Sequence, residues 1–324
     1  MNRLRLTALS GAAVLALGLA ACGDSGGTGS DGGSTSDGAS ISGTIRVDGS
    51  STVGPLTEAA AEAFQGENSD VRVTVGTSGT GGGFEKFCAG ETDISDASRE
   101  IEDDEIAACR EKGITYEAFQ VANDGISVVV NPENDWAQCL TVEQLRKIWN
   151  TGSKVDNWNQ VDPSFPDQEL ALYGPGTDSG TFDFFTDKIN GEEGASRSDY
   201  NATEDDNVTV QGVSGDKGGL GYFGLSYLEQ NRDSIKGIKV DGGRGCVAPS
   251  TETVQDGTYT PLSRPLFIYV KGDSLRKPEV EAFVQYYLDN AATLAEQALF
   301  VPLTQVQQDE LQPKLDALKA TAGS

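Results

Sequence analysis

Three times in this chain a cluster of glycine and hydroxyl-bearing residues stands just before an apolar-periodic run. Asp48-Gly49-Ser50-Ser51-Thr52 precedes Pro55 and the run from Leu56 to Phe64. Thr77-Ser78-Gly79-Thr80-Gly81-Gly82-Gly83 precedes Phe84 to Cys88. Gly174-Pro175-Gly176-Thr177-Asp178-Ser179-Gly180 precedes Thr181 to Ile189, in which Phe182, Phe185 and Ile189 share one helical face. The first N–H groups of a helix have no partner inside it, and neighbouring hydroxyls add donors. Glycine lets an anion approach the backbone. One such segment reads as an ordinary capped helix; three together predict a pocket for a small tetrahedral oxyanion.

Strand-like runs alternate with these helices. Ile45 to Asp48 and Val71 to Val75 flank the first, and an acidic helix follows from about Asp103 to Glu111. Val121 to Asn131 reads as a continuous buried strand ended by Pro132. Thr141 caps an amphipathic helix ending at Trp149, and Trp149 and Trp158 read as packing residues. Leu170 to Tyr173 is a strand feeding the third cluster, Val208 to Gly212 is helix-like, and Gly218 to Phe223 is a glycine-rich approach to a strand. Pro265 to Val270 is a second apolar strand, and Val280 to Leu299 and Leu311 to Leu318 are helical. This repetition predicts an α/β fold with a parallel sheet, its ligand loops beyond the carboxyl ends of the strands.

Residues 1–21 carry Arg3 and Arg5 and a short apolar centre, the pattern of a secretory signal and too short to span a bilayer. Leu19-Ala20-Ala21-Cys22 resembles the bacterial lipobox, which implies lipidation of Cys22 and anchorage to the cell membrane. Residues 22–40 are nearly all Gly, Ser, Asp and Thr, a flexible tether. The remaining roughly 280 residues are more than one core usually organises, so two domains are expected. Removing Arg3 and Arg5 with the leader takes the formal charge from −26 to −28. Such a surface excludes nucleic acid as a partner. An anion site must then rely on local dipoles, hydrogen bonds and buried arginine, with exposed charge screened over about 8 to 10 Å at physiological salt.

With Cys22 set aside, Cys88, Cys109, Cys139 and Cys246 form an even set in an exported chain, so disulfides are expected in preference to a metal site. Of the three pairings, Cys88–Cys109 closes a loop of moderate length between neighbouring helices, leaving Cys139–Cys246. Histidine is absent, which removes Ser-His-Asp and Cys-His chemistry and the usual catalytic zinc sets. The carboxylates at 204–206 lack calcium-ligand spacing and read as a solvated turn. No cofactor is implied.

Asp48-Gly49-Ser50-Ser51-Thr52, Gly79-Thr80-Gly81, Asp93-Ile94 with Ala97-Ser98-Arg99, Asp178-Ser179-Gly180-Thr181-Phe182 and Gly219-Leu220-Gly221-Tyr222 occur in an order that resembles the phosphate-binding proteins of ABC-type phosphate importers, over about residues 43 to 310. The resemblance implies a two-lobed, periplasmic-binding-protein-like (type II) clamshell with two crossover strands, at Val121 to Asn131 and Pro265 to Val270. One lobe would be residues 41–125 plus 265–324 and the other 126–264. It also implies a monomeric, non-enzymatic receptor that takes inorganic phosphate and passes it to membrane permease subunits. Ser51 and Thr52 resemble the first-loop donors, Ser78, Gly79 and Thr80 the second helix mouth, Ser98 the hydroxyl after a sheet strand, and Ser179, Gly180 and Thr181 the opposite cluster. Where many members carry an arginine four residues before the Ser-Gly-Thr serine, this chain has Pro175; where a carboxylate often follows Ala-Ser, it has Arg99. Arg99 is therefore expected to neutralise the ligand, with Arg197 arriving from Ser196-Arg197-Ser198-Asp199-Tyr200. An acceptor carboxylate would favour hydrogen phosphate over sulfate; Asp178, Asp96 and Asp124 are the candidates. The alternatives are another oxyanion (sulfate, molybdate), an organic phosphate, or a phosphoesterase using Ser179.

Overall fold

The computed structural model describes residues 41–177 and 179–322. The expected leader, the tether with Cys22, and Asp178 lie outside the described residues. Alternating apolar residues build β1 (Gly43–Gly49) and β2 (Val71–Gly76), followed by β3 (Ile94–Ala97) and the long β4 (Tyr116–Val130). Then come β5 (Cys139–Thr141), β6 (Ala171–Gly174), β7 (Asn201–Ala202), β8 (Gly219–Gly224) and β9 (Lys236–Gly237). β10 (Lys239–Asp241), β11 (Cys246–Val247) and β12 (Ser263–Lys271) complete the strands.

A nine-stranded sheet runs β2-β1-β3-β12-β4-β8-β6-β7, with β9 also on β4, and β11-β10-β5 form a small second sheet. β1 pairs in parallel with β2 and β3, and β6 with β7 and β8. The sheet as a whole is mixed rather than parallel, because β12 runs antiparallel to β3 and β4, and β4 antiparallel to β8. The cause is topological. A chain that leaves along β4 and returns along the adjacent β12 must run in the opposite direction.

Val121 and Ala122 of β4 belong to one large hydrophobic core, with Ile45, Leu56, Leu266 and Phe283; Ile126, Val128, Val129 and Val130 belong to another, with Trp149, Trp158, Phe185 and Tyr222. The strand passes between the cores at Asn123, Asp124 and Gly125, which are in register with Pro265, Arg264 and Ser263 of β12. The two expected crossover strands are thus present, and the molecule has the two-lobed fold, although β4 begins earlier than the apolar run because Tyr116 to Gln120 pair with β12.

The helices that reach the strand ends are α1 (Gly54–Glu67), α2 (Gly79–Cys88), α3 (Asp103–Glu111), α4 (Val142–Trp149), α5 (Trp158–Val161) and α6 (Gly180–Phe185). Thr141 caps α4 through a bond accepted from the Gln144 N–H, as expected. α2 differs from expectation, since it starts at Gly79 and takes the glycine run into its first turns. Packing overrides helix propensity there: a Cβ on Gly83 would lie 2.5 Å from the Gly49 Cα, so only glycine lets α2 sit this close to β1. α6 ends at Phe185 and continues as one π-helical stretch, Thr186–Asn190, while the long helix expected from 280 to 299 breaks at Asn290.

Both expected disulfides form. Cys88–Cys109 ties α2 to α3, and Cys139–Cys246 ties β5 to β11 across a sequence separation of 107. The second staples a sheet of two- and three-residue strands that pairing alone supports poorly. Replacing both Cys139 and Cys246 by serine should lower unfolding free energy by about 2–5 kcal/mol in urea titration, with no change counting against this account.

Candidate functional site

The three hydroxyl and glycine clusters converge on one cleft of 870 Å³ whose walls include Ser51, Thr52, Ser78, Gly79, Thr80, Ser98, Arg99 and Gly180. In the first cluster, Gly49 has φ +149°, and a Cβ there would lie 2.1 Å from the Asp96 carbonyl oxygen. The glycine lets the loop settle on the end of β3, where the Ser50 N–H donates to that carbonyl at 2.9 Å. The Ser50 Oγ accepts from the Thr52 and Val53 N–H groups at 3.2 and 3.4 Å, turning the chain into α1 and leaving Ser51 and Thr52 on the cleft wall.

In the second cluster the Asp48 carboxylate accepts from the Ser78 N–H at 3.2 Å, from the Ser78 hydroxyl, and from Lys86 Nζ at 2.6 Å. Burial alone would raise the Asp48 carboxyl, but the bonds from Lys86 and Ser78 hold it below its ordinary value. A carboxylate only accepts, so the single Ser78 proton is committed to Asp48 and Ser78 Oγ offers lone pairs to anything else. Thr80 Oγ1 lies 3.1 Å from Ser98 Oγ and accepts from the Ser98 N–H at 3.2 Å, joining the mouth of α2 to the end of β3.

The third cluster faces these from the other core. Ser179 caps α6 by accepting from the Thr181 N–H at 3.2 Å, and that is its side-chain bond among the described residues. Neither Ser179 nor Thr181 is among the cleft-lining residues, whereas Gly180 is. Gly180 meets Thr52 so closely that a Cβ would lie 2.6 Å from Thr52 Oγ1.

The cationic expectations fare differently. Arg99 lines the cleft, but its fork is filled by Glu105 at 2.8 Å on both nitrogens, with Glu102 at 3.3 Å, and the Glu105 hydrogen bond raises its pKa. Arg197 does not reach the cleft. Its guanidinium is buried against Asp199 at 2.7 Å and the carbonyls of Ile148 and Val155, so its charge is consumed two residues from where it stands in sequence.

The cation that sequence reasoning missed is Arg264 of β12. Its side chain is 12 % exposed, its Nε donates to Asp124 at 3.0 Å, and its Nη2 donates to Thr52 Oγ1 at 2.9 Å and to the Gly180 carbonyl at 3.4 Å. The guanidinium carbon lies 3.9 Å from the centre of the Phe184 ring. Burial pulls the Arg264 pKa down while Asp124 opposes the shift. The signal available in sequence was slight: one arginine at the head of an apolar strand, beside a proline.

Of the carboxylate candidates, Asp124 is thus engaged by Arg264, and Asp178 falls outside the described residues. Asp96 is fully buried beneath the first loop and does not line the cleft. One of its oxygens accepts from Thr57 Oγ1 at 2.9 Å and the other has no partner among the described residues. Burial pushes its carboxyl up to about 8, so it holds its proton at neutral pH. Asp183 of α6, not anticipated, does line the cleft; burial and Glu193 raise its pKa, and Arg264 opposes them. Among the described residues no cluster of ligating side chains fits a metal, and no helix is long and apolar enough to cross a membrane.

A fold of this kind, with its cleft at the crossing strands, is that of two-lobed binding proteins. The family model for the PBP superfamily domain matches residues 34–291. Protein SphX of Synechococcus elongatus is 49 % identical over 80 % of this chain and 77 % of its own length. The phosphate-binding protein PstS of Staphylococcus saprophyticus is 43 % identical over 84 % of each. The crystal structure of a possible phosphate binding protein from Planctomyces limnophilus superposes with a TM-score of 0.84 at 47 % identity, covering 86 % of this chain and 100 % of that one. The chain belongs to the PBP superfamily, in the family of these phosphate-binding substrate receptors.

Two outcomes follow from this geometry. Asp96 releases its proton near pH 8 when folded and near its ordinary 3.8 when unfolded. Its stabilising contribution is therefore full below about pH 4 and is lost as pH rises through about 8. Asp96→Asn should flatten the fall in melting temperature across that window; an unchanged pH profile would contradict the assignment. Gly180→Ala should cost about 1–3 kcal/mol by overpacking against Thr52 Oγ1, and Thr52→Ala in the same chain should recover most of it in a double-mutant cycle.

Proposed function

We propose that this protein is an extracytoplasmic receptor that encloses inorganic phosphate between its lobes and hands it to the permease of an ABC importer, anchored to the cell membrane through lipidated Cys22. The observation that carries the reading is the convergence of Ser51, Thr52, Thr80, Ser98 and Gly180, from segments of both cores, on a single cleft. The relatives named for phosphate binding agree with it. We take the lobes as residues 41–125 plus 265–324 and 126–264, which the change of core along β4 supports.

In this reading Ser51, Thr52, Ser78, Gly79, Thr80 and Ser98 form one wall around the ligand, and the other is Ser179, Gly180 and Thr181, of which Gly180 already stands against Thr52. Closing excludes water and strengthens each bond to the dianion. Charge-assisted hydrogen bonds contribute about 1.5 to 3 kcal/mol each, and desolvation with lobe closure offsets much of their sum. Hydroxyl groups donate or accept as needed, so they tolerate the proton that hydrogen phosphate keeps and sulfate lacks. The chain acts as a binder, not an enzyme. Ser179 is engaged with its own helix and the sequence holds no histidine to activate it.

Calorimetry on ligand-stripped full-length protein should give sub-micromolar phosphate binding that a large excess of sulfate or molybdate does not displace. Ser51→Ala and Ser98→Ala should each weaken it about 10- to 100-fold. Preference for sulfate or an organic phosphate would replace the ligand while keeping the clamshell.

A further inference from the structure

Three cations line the cleft among the described residues: Arg99, Lys188 and Arg264. Arg99 is spent on Glu102 and Glu105, and Lys188 is half exposed and pairs with Asp187 at 2.8 Å. Arg264 is different in kind. Its Nε and Nη2 are engaged, Nη1 makes no hydrogen bond among the described residues, and Arg264 is one of the residues that line the cleft.

From this arrangement we infer that Arg264 supplies the positive charge that receives the anion, and that it does so from the hinge instead of from either lobe. This rests on the phosphate-receptor reading above. Arg264 and Asp124 are register partners on the two crossing strands, so the pair lies where the chain passes from one core to the other. A charge placed there is fixed by the strand pairing itself. It is held at the point where the first loop, through Thr52, and the third, through the Gly180 carbonyl, already meet.

The Asp124 carboxylate fixes the fork through Nε and keeps the guanidinium from collapsing onto other acids in a chain of net charge −26. Phe184 supports its flat face, leaving the edge for hydrogen bonding. The Nη2 bonds to Thr52 and to the Gly180 carbonyl link the first loop to the third. Because Thr52 Oγ1 accepts from Arg264, the Thr52 proton is free to point at the ligand. Recognition of charge and approach of the two walls are thereby coupled through one side chain.

The test uses full-length, ligand-stripped protein titrated with inorganic phosphate. Arg264→Gln should lose about 100-fold or more in affinity, and Arg264→Lys, which keeps the charge but not the fork, about 10-fold. Binding by Arg264→Gln within threefold of wild type would overturn the inference while leaving the receptor reading intact. No phosphate binding by wild type would remove both. Should Arg264→Gln fail to fold, the wild-type protein still decides: the Arg264 guanidinium resonance must shift on phosphate addition and not on chloride, and an unmoved resonance overturns the proposal.

Discussion

The pairing of β4 with β12 is the constraint from which the rest of this structure follows. Two strands lying side by side and running in opposite directions carry the chain from one hydrophobic core to the other and back. Each core builds its own parallel strand and helix units on either side of that pair. The loops that end those units, at Ser50 to Thr52, at Ser78 to Thr80 and at Ser179 to Thr181, therefore face one another across the crossing strands. The cleft is a product of topology first and of side-chain chemistry second.

Electrostatics set the second constraint. A chain so rich in acid cannot attract an anion through its overall field, and it must instead prevent its own carboxylates from occupying every cation. It does this by partnering them early. Glu102 and Glu105 take Arg99, Asp199 takes Arg197, and Asp48 takes Lys86 together with the Ser78 proton. Asp96, with no cation to meet, stays protonated in the core. After these pairings Arg264 keeps a donor edge on the cleft, because a single acid, Asp124, holds it from the side.

Much of this was legible in the residues. The hydroxyl and glycine clusters before apolar runs located three of the segments that line the cleft, since the physics of unpaired helix N–H groups is local and therefore visible in sequence. The Thr141 cap was readable for the same reason, and the disulfides because four cysteines allow few pairings once Cys88 and Cys109 are matched. What escaped depends on distance in sequence. Arg264 belongs to no motif and gains its role only by lying opposite Asp124, 140 residues away. Arg197 sat in a suggestive motif, but Asp199, its neutralising partner, was part of the same five residues. The glycine run at 79–83 read as a loop because propensity was weighed without the close approach of Gly49, a contact fixed only when β1 and α2 pack.

The bridge between Cys88 and Cys109 has a mechanical consequence. It fastens α2 to α3, and α3 carries Glu105, which grips Arg99 at the cleft wall, while the Ile101 N–H bonds the Tyr269 hydroxyl of β12. Helix, clamp and strand are welded into one plate with little internal give. Any motion of this part of the molecule would then be borne by the whole plate and not by its separate elements.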